Sequence, residues 1–308
     1  MGSAEGFDSI RLTSVDGSTT AEFVPDANLV CCSLEVDGVE LLERRRGVRV
    51  YAEQGKTMGI PLLYPWANRL ARFGYEAAGK AVTLSEDDTR IPRDSAGLPI
   101  HGVLPGLLHW EPEDSGASDT LAARLDWRSD ELLELFPFAH EVHCEATVGR
   151  AELTVTAAVT AVTADRVPVS FGYHPYTRAP GAARDEWQIA LAASNRLVLD
   201  DHSIPTGERA PVDRDRFSLA GVSLDDAFEA GPGPFEAVAG EHRLTVEFLS
   251  GYDFAQVFAP AGLEFICFEP MTAPTNALNS GDRLTVVPPG ETYIARFRIA
   301  LTARGSRS

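Results

Sequence analysis

Val142-His143-Cys144-Glu145-Ala146-Thr147-Val148-Gly149 and, after Arg150-Ala151, Glu152-Leu153-Thr154-Val155-Thr156-Ala157-Ala158-Val159-Thr160 alternate apolar and polar side chains with a period of two. A strand points successive side chains to opposite faces, so this pattern predicts an antiparallel pair with one buried face. The chain ends in the same way. Tyr293, Ala295, Phe297, Ile299 and Leu301 share one face of a last strand and Arg296, Arg298 and Thr302 the other, while the tail from Ala303 to Ser308 is polar and reads as frayed.

Working outward, Val15-Asp16-Gly17-Ser18 and Val36-Asp37-Gly38-Val39 set Asp-Gly pairs between apolar runs, the signature of tight hairpins. Helical signals are few. Ser129 is placed to cap a short turn through Leu132, Leu133 and Leu135 that Pro137 stops, and Ser223 to start another near Phe228. Pro168 inside a strand-like run marks an edge or a bulge just before His174. Many short alternating segments without a βαβ rhythm predict an all-β protein, a large antiparallel β-sandwich with few short helices. No linker or internal repeat divides it, so a single domain over residues 1–308 is expected.

The 27 lysines and arginines stand against 45 acidic residues, a formal charge of -18. That charge repels phosphate backbones and anionic lipid surfaces, so neither nucleic acid nor a membrane is an expected partner. The amino terminus lacks the basic start and apolar run of a secretory signal, and no stretch reaches the length of a membrane span, so a cytoplasmic location is expected. Cys31, Cys32, Cys144 and Cys267 lie in apolar runs without CxxC spacing and read as buried thiols.

Four polar islands interrupt the apolar strands. In Tyr64-Pro65-Trp66-Ala67-Asn68-Arg69 two side chains rich in donors follow stiffened backbone, suited to sugar hydroxyls or a carboxylate, although a surface arginine lying over Trp66 fits as well. His101 stands between loop formers in Gly97-Leu98-Pro99-Ile100-His101-Gly102. In Ser170-Phe171-Gly172-Tyr173-His174-Pro175-Tyr176, strand phase puts His174 on the side of Ser170 and Gly172, two small residues that leave room beside the ring. A core histidine bonded to a backbone carbonyl has the same pattern. In Leu263-Glu264-Phe265-Ile266-Cys267-Phe268-Glu269-Pro270, Glu269 is in phase with Leu263, Phe265 and Cys267, and carboxylates rarely occupy an apolar face unless paired or used. Two histidines and a carboxylate are also the donors of a facial metal triad, but they come from distant islands with no close His pair, so no metal is expected. A Gly-x-Ser-x-Gly elbow and phosphate-cradling glycine loops are lacking in the sequence.

Taken in order, Pro65 with Asn68-Arg69, His101-Gly102, Gly172-Tyr173-His174-Pro175-Tyr176 and Glu269-Pro270 with Thr272 and Asn276-Ala277 resemble the aldose 1-epimerase (galactose mutarotase) family. Asp201 with Ile204-Pro205-Thr206-Gly207, and Leu224-Asp225-Asp226-Ala227-Phe228, are softer matches. The resemblance covers roughly residues 59 to 281 and implies one galactose mutarotase-like supersandwich with an open cleft for a free sugar. It implies Glu269 as general base on the C1 hydroxyl and His174 as general acid at the ring oxygen, with His101 a second candidate for the acid. It also implies that Arg69, His101 and Asn68 position the sugar while Asp225 and Gln256 hold its other hydroxyls; Asp225 rather than Asp226 rests on the spacing to Phe228. No cofactor is implied, and the chain is expected to act as a monomer or homodimer.

Ring opening needs a proton removed from one oxygen and another supplied to the ring oxygen, so one base and one acid suffice. A glutamate near its ordinary value of about 4.3 is ionised at neutral pH, and a neighbouring carboxylate would help keep a histidine of about 6.5 charged. Trp66, Tyr173 and Tyr176 are candidates for stacking on the sugar. A hexose-phosphate 1-epimerase is the alternative. Similar enzymes of that kind carry an arginine soon after the His-Gly pair, where this chain has Val103-Leu104-Pro105-Gly106, but Arg69, Arg72 and Arg178 remain phosphate donors. A non-catalytic carbohydrate-binding protein with the same cleft is the other alternative.

Overall fold

The alternating pair opening the sequence argument forms the strands His140–Gly149 and Glu152–Thr160, antiparallel with Val142 opposite Val159 and Gly149 opposite Glu152. Thr292–Ala303 adds to the second of these with Val155 opposite Phe297. The structure, a computed structural model, describes residues 2–303. Ala303 closes the last strand instead of fraying, and the rest of the expected tail lies outside the described residues.

These strands sit in a nine-stranded sheet running Arg216–Ser218, Gln188–Ala190, Pro234–Ala239, His242–Ser250, Thr292–Ala303, Glu152–Thr160, His140–Gly149, Thr120–Trp127 and Glu111–Glu113. A seven-stranded sheet faces it, in the order Pro205–Pro211, Ala193–Leu199, Leu224–Ala230, Phe254–Ala259, Cys267–Met271, Gly172–Tyr173 and Leu62–Leu63. The inner faces interlock: the ring of Phe235 lies 5.5 Å from that of Phe268, and Tyr173 lies 5.0 Å from Phe297. Val142, Ala146, Leu153, Val155, Phe297 and Ile299 are all within 2% of full burial, and each of these side chains larger than alanine contributes about 1.5–3 kcal/mol. The outer face of the large sheet is laced by polar contacts such as Arg298 Nη2 to Glu247 Oε2 at 2.6 Å.

Residues 2–40 make a separate five-stranded meander ending in Val30–Val36 and Val39–Glu40. Their link is the predicted Asp-Gly turn, with Asp37 at φ 50 and Gly38 at φ 77, the geometry that matches strand twist in a two-residue hairpin. Pro168 lies in Val167–Val169, one strand of a two-stranded ribbon and hence an edge.

Among the described residues there are three α-helices. Asp130–Leu135 is capped as expected by the Ser129 hydroxyl, which accepts from the Leu132 amide at 3.4 Å. The helix expected after Ser223 does not form. Leu224–Ala230 is a central strand between Ala193–Leu199 and Phe254–Ala259, where two ladders outweigh a lone capping serine. Val48–Gln54 is a helix that the sequence reading missed; its N-cap is Gly47, which offers no side-chain cap. All four cysteines are buried and free, and no helix of the described residues is long and apolar enough to cross a membrane.

Under the sheets His140 is fully buried, stacked on Trp127 at 5.5 Å, its Nδ1–H donating to the Phe138 carbonyl while Nε2 accepts from the Tyr64 hydroxyl. Burial pushes its pKa down to about 4 from 6.5. Below 6.5 the unfolded chain therefore takes up a proton that the folded chain refuses until about pH 4, and stability present above 6.5 is lost through that window, by up to about 3 kcal/mol. Urea denaturation at several pH values should show this loss, and His140→Gln should cut the proton uptake on unfolding near pH 5.5 by about one; unchanged uptake would refute the assignment.

Candidate active site

The outer face of the seven-stranded sheet carries the polar residues. Register puts Gln256 directly opposite both Glu269 and Ala227, and Asp225, two residues before Ala227, falls on the same face. Gly172 is laddered to Met271, so His174, two residues later, lies beside Glu269: Nε2 to Oε1 is 3.3 Å. The small residue Gly172 serves the sheet and not the ring, because a Cβ there would stand 2.6 Å from the Pro270 carbonyl oxygen.

Two loops build the opposite wall. The amide of His101 donates to the Asn68 carbonyl at 2.9 Å, and Arg69 and Ile100 form a bridge. Gly102 holds the loops together at φ +79, where a Cβ would fall 1.8 Å from the Tyr64 carbonyl oxygen. Arg69 Nε donates to Asp94 Oδ2 at 2.7 Å and Nη1 to Asn68 Oδ1 at 3.1 Å, so the guanidinium is held at the cavity and does not lie over Trp66. One strut locks this wall to the sheet and a second ties the two site strands together. Asn276 Oδ1 accepts from the Ala71 amide at 2.9 Å, and the Thr272 hydroxyl donates to the Phe171 carbonyl at 2.9 Å.

The result is a cavity of about 180 Å³ lined by all seven residues singled out in the sequence, Asn68, Arg69, His101, His174, Asp225, Gln256 and Glu269, together with Thr57, Ile100, Tyr176 and Phe258. Asp225 rather than Asp226 faces it, accepting from Gln256 Nε2 at 2.6 Å; Asp226 points to the other side, 3.7 Å from Arg196. Of the three aromatics, only Tyr176 reaches the cavity. Trp66 is wholly buried against Tyr75, and Tyr173 sits between the sheets against Phe297. Asp201 and the Ile204–Gly207 segment do not line it. Leu263 lies outside the Glu269 strand, which starts at Cys267, and is 38% exposed. Asp94, Thr57 and Phe258 were missed by the sequence reading; each stands in a stretch with no distinguishing pattern.

Glu269 is 1% exposed and His174 6%. Burial, and next the nearby Asp225 carboxylate, hold the Glu269 carboxyl well above the usual range. Burial pushes His174 down to about 3, with the Arg45 guanidinium adding to the effect. The expectation that the carboxylate keeps the imidazole charged is thus corrected: desolvation outweighs the attraction, and both groups favour their neutral forms. His101 is pushed down too, by burial and then by His174 and Arg69. Among the described residues Glu269 Oε2, His174 Nδ1 and His101 Nδ1 are enclosed without a hydrogen-bond partner, an exception to the rule that buried polar atoms are paired. Although His101, His174 and Glu269 do converge, no group of three or more His, Cys, Asp or Glu side chains among the described residues is arranged to hold a metal ion.

The aldose 1-epimerase family model matches residues 30–300. The chain belongs to the aldose 1-epimerase family. Its sequence is 27% identical over 252 residues to the uncharacterized protein YihR of Escherichia coli K12, covering 77% of each chain. The Slr1438 protein of Synechocystis shares the fold with a TM-score of 0.79 at 24% identity over 98% of both chains. A galactose mutarotase-like protein of Clostridium acetobutylicum does so with a TM-score of 0.78 at 16% identity over 93% of both.

For this aldose 1-epimerase family member, Gly102→Ala should strain both loops of the wall and lower stability by about 2 kcal/mol or more, read by urea denaturation. A variant as stable as the parent would show that the Tyr64–Gly102 contact does not hold the wall.

Proposed function

We propose that this family member interconverts the α and β anomers of a free monosaccharide, with Glu269 and His174 moving the two protons. The supporting observation is the buried Glu269–His174 contact at the floor of a sugar-sized cavity, with a free acceptor on one partner and an enclosed ring nitrogen on the other. One wall offers acceptors: Asp225, Glu269 and the side-chain carbonyl of Gln256, whose Nε2 is taken by Asp225. The other offers donors from Arg69, the His101 imidazole and the amide nitrogen of Asn68, whose oxygen is taken by Arg69. A polyol, in which every hydroxyl both donates and accepts, is matched by such opposed walls, and about 180 Å³ admits one sugar ring.

In the free site the pair carries one proton and no net charge. Transfer of that proton from the Glu269 carboxyl to His174 Nε2 gives the working form, carboxylate and imidazolium, as the sugar's own hydroxyls replace lost solvation. The carboxylate then takes the proton of the C1 hydroxyl, the C1–O5 bond breaks as the C1=O bond forms, and the imidazolium protonates O5. Rotation about C1–C2 presents the other carbonyl face. Closure runs the steps backwards: His174 takes the O5 proton, O5 attacks C1, and Glu269 returns its proton to O1, restoring the pair. Arg69, Asn68 and His101 position the ring, and Asp225 and Gln256 hold the remote hydroxyls.

Of the arginines named as phosphate donors, Arg178 and Arg72 do not line the cavity, and Arg69, which does, already gives Nε to Asp94 and Nη1 to Asn68. That favours an uncharged sugar over a hexose phosphate, and catalysis rather than mere binding is favoured by burying an acid against a base.

Polarimetry on fresh α-glucose and α-galactose, with hexose 6-phosphates alongside, tests this. Glu269→Gln should lower the enzymatic rate at least about a hundredfold while sugar still binds; full activity in that variant would rule out Glu269 as the base. After subtraction of the spontaneous rate, activity should pass through pH 6.5 without an inflection, since His174 titrates only near 3 when its partner holds a proton, and should decline on the alkaline side as the pair loses that proton. An acidic limb centred near 6.5 would contradict the shared-proton pair.

A further inference from the structure

Apart from its own backbone the His174 ring has one polar contact, Nε2 to Glu269, and its Nδ1 is bonded to no other residue among those described. One contact fixes a point on an imidazole ring but not its plane; rotation about the Cβ–Cγ bond is left to packing. The rings around it meet it differently. Phe258 and His101 approach edge-on, at 5.9 Å and 77° and at 5.6 Å and 80°, whereas Tyr176 lies parallel, with centroids 4.5 Å apart and planes 6° apart.

Tyr176 is itself immobilised at both ends. Its amide donates to the Gly59 carbonyl at 2.8 Å, its carbonyl accepts from the Glu43 amide at 2.9 Å, and its hydroxyl shares a 2.7 Å hydrogen bond with that of Thr57, also on the cavity wall. Phe265 packs edge-on against it at 5.1 Å. Burial keeps the phenol neutral, so it is a fixed aromatic platform and not an acid.

We infer that Tyr176 is a positioning residue for the acid of the reaction proposed above: it holds the His174 plane so that Nε2 faces Glu269 and presents its π-face to the imidazolium formed when the proton crosses. A positive charge over an aromatic face is stabilised relative to the neutral ring, which works against the desolvation that disfavours the charged form. The charged and titratable groups around His174 are otherwise Glu269, which attracts an imidazolium, and His101 and Arg45, which oppose one. Arg45 lies over Phe265 at 4.9 Å and 5.8 Å from the Tyr176 centroid, so the platform also separates a fixed cation from the ring that must become one. Thr57, through the phenol, sets where that platform stands.

The test compares Tyr176→Leu, Tyr176→Phe and Thr57→Val in the full chain. Tyr176→Leu should lower kcat about tenfold with KM within about twofold of the parent, Tyr176→Phe should keep most of kcat because it keeps the face, and Thr57→Val should lie between. A readout independent of turnover is nitrogen NMR of labelled histidine: the His174 ring should show one fixed tautomer in the parent and in Tyr176→Phe, and averaged signals in Tyr176→Leu. If Tyr176→Leu does not fold, Thr57→Val carries the same comparison in weaker form. Unchanged kcat and unchanged ring signals in the variants overturn the inference, as does a loss confined to KM. Absence of turnover in the parent would instead count against the proposed reaction, and the NMR comparison would still decide the role of Tyr176.

Discussion

A carboxyl group and an imidazole meet at 3.3 Å where water is almost excluded, and much of the surrounding architecture serves to make that meeting possible. Moving either group in charged form out of water is costly, so burial drives both toward neutrality, the one upward in pKa and the other downward. What remains affordable is a single proton shared between them. Such a pair is poorly placed to stabilise the fold and well placed to pass protons in both directions, which is what a reversible ring opening requires.

Holding the pair takes strands from distant parts of the chain. Gly172–Tyr173 and Cys267–Met271 are neighbours only because Gly172 lets the Pro270 carbonyl approach closely and because Thr272 bonds back to Phe171. Asn276 then reaches across to the Ala71 amide and fixes the Arg69 wall. The residues that flank the chemistry in sequence, Gly172, Thr272 and Asn276, thus act as struts, and the polar face stands on a sheet whose other side is packed against the nine-stranded sheet through Tyr173 and Phe268.

The strands were legible where one face is buried and the other wet, as in His140–Thr160 and Thr292–Ala303, because the alternation is written in the side chains themselves. It was not legible at Ser223, where a local capping signal lost to two ladders, nor at Val48–Gln54, which is docked by Val48, Tyr51 and Ala52 and carries no capping side chain. Six of the seven cavity residues were recoverable from four short islands and one softer segment, since loops and strand ends that must present polar groups break the apolar pattern, whereas Gln256 was carried by the family resemblance alone. Which aromatic faces the cavity was not recoverable, because Trp66 and Tyr173 occupy the same motifs as Tyr176 and differ only in what the sheets cover. Nor was the protonation of the pair: sequence shows a glutamate and a histidine, and only their common burial reverses the expected charges.

Infrared difference spectroscopy between the parent protein and Glu269→Gln at neutral pH tests the shared proton most directly. The account predicts the carbonyl stretch of a protonated carboxylic acid, present in the parent and absent from the variant. Only the bands of an ionised carboxylate at that position would contradict it.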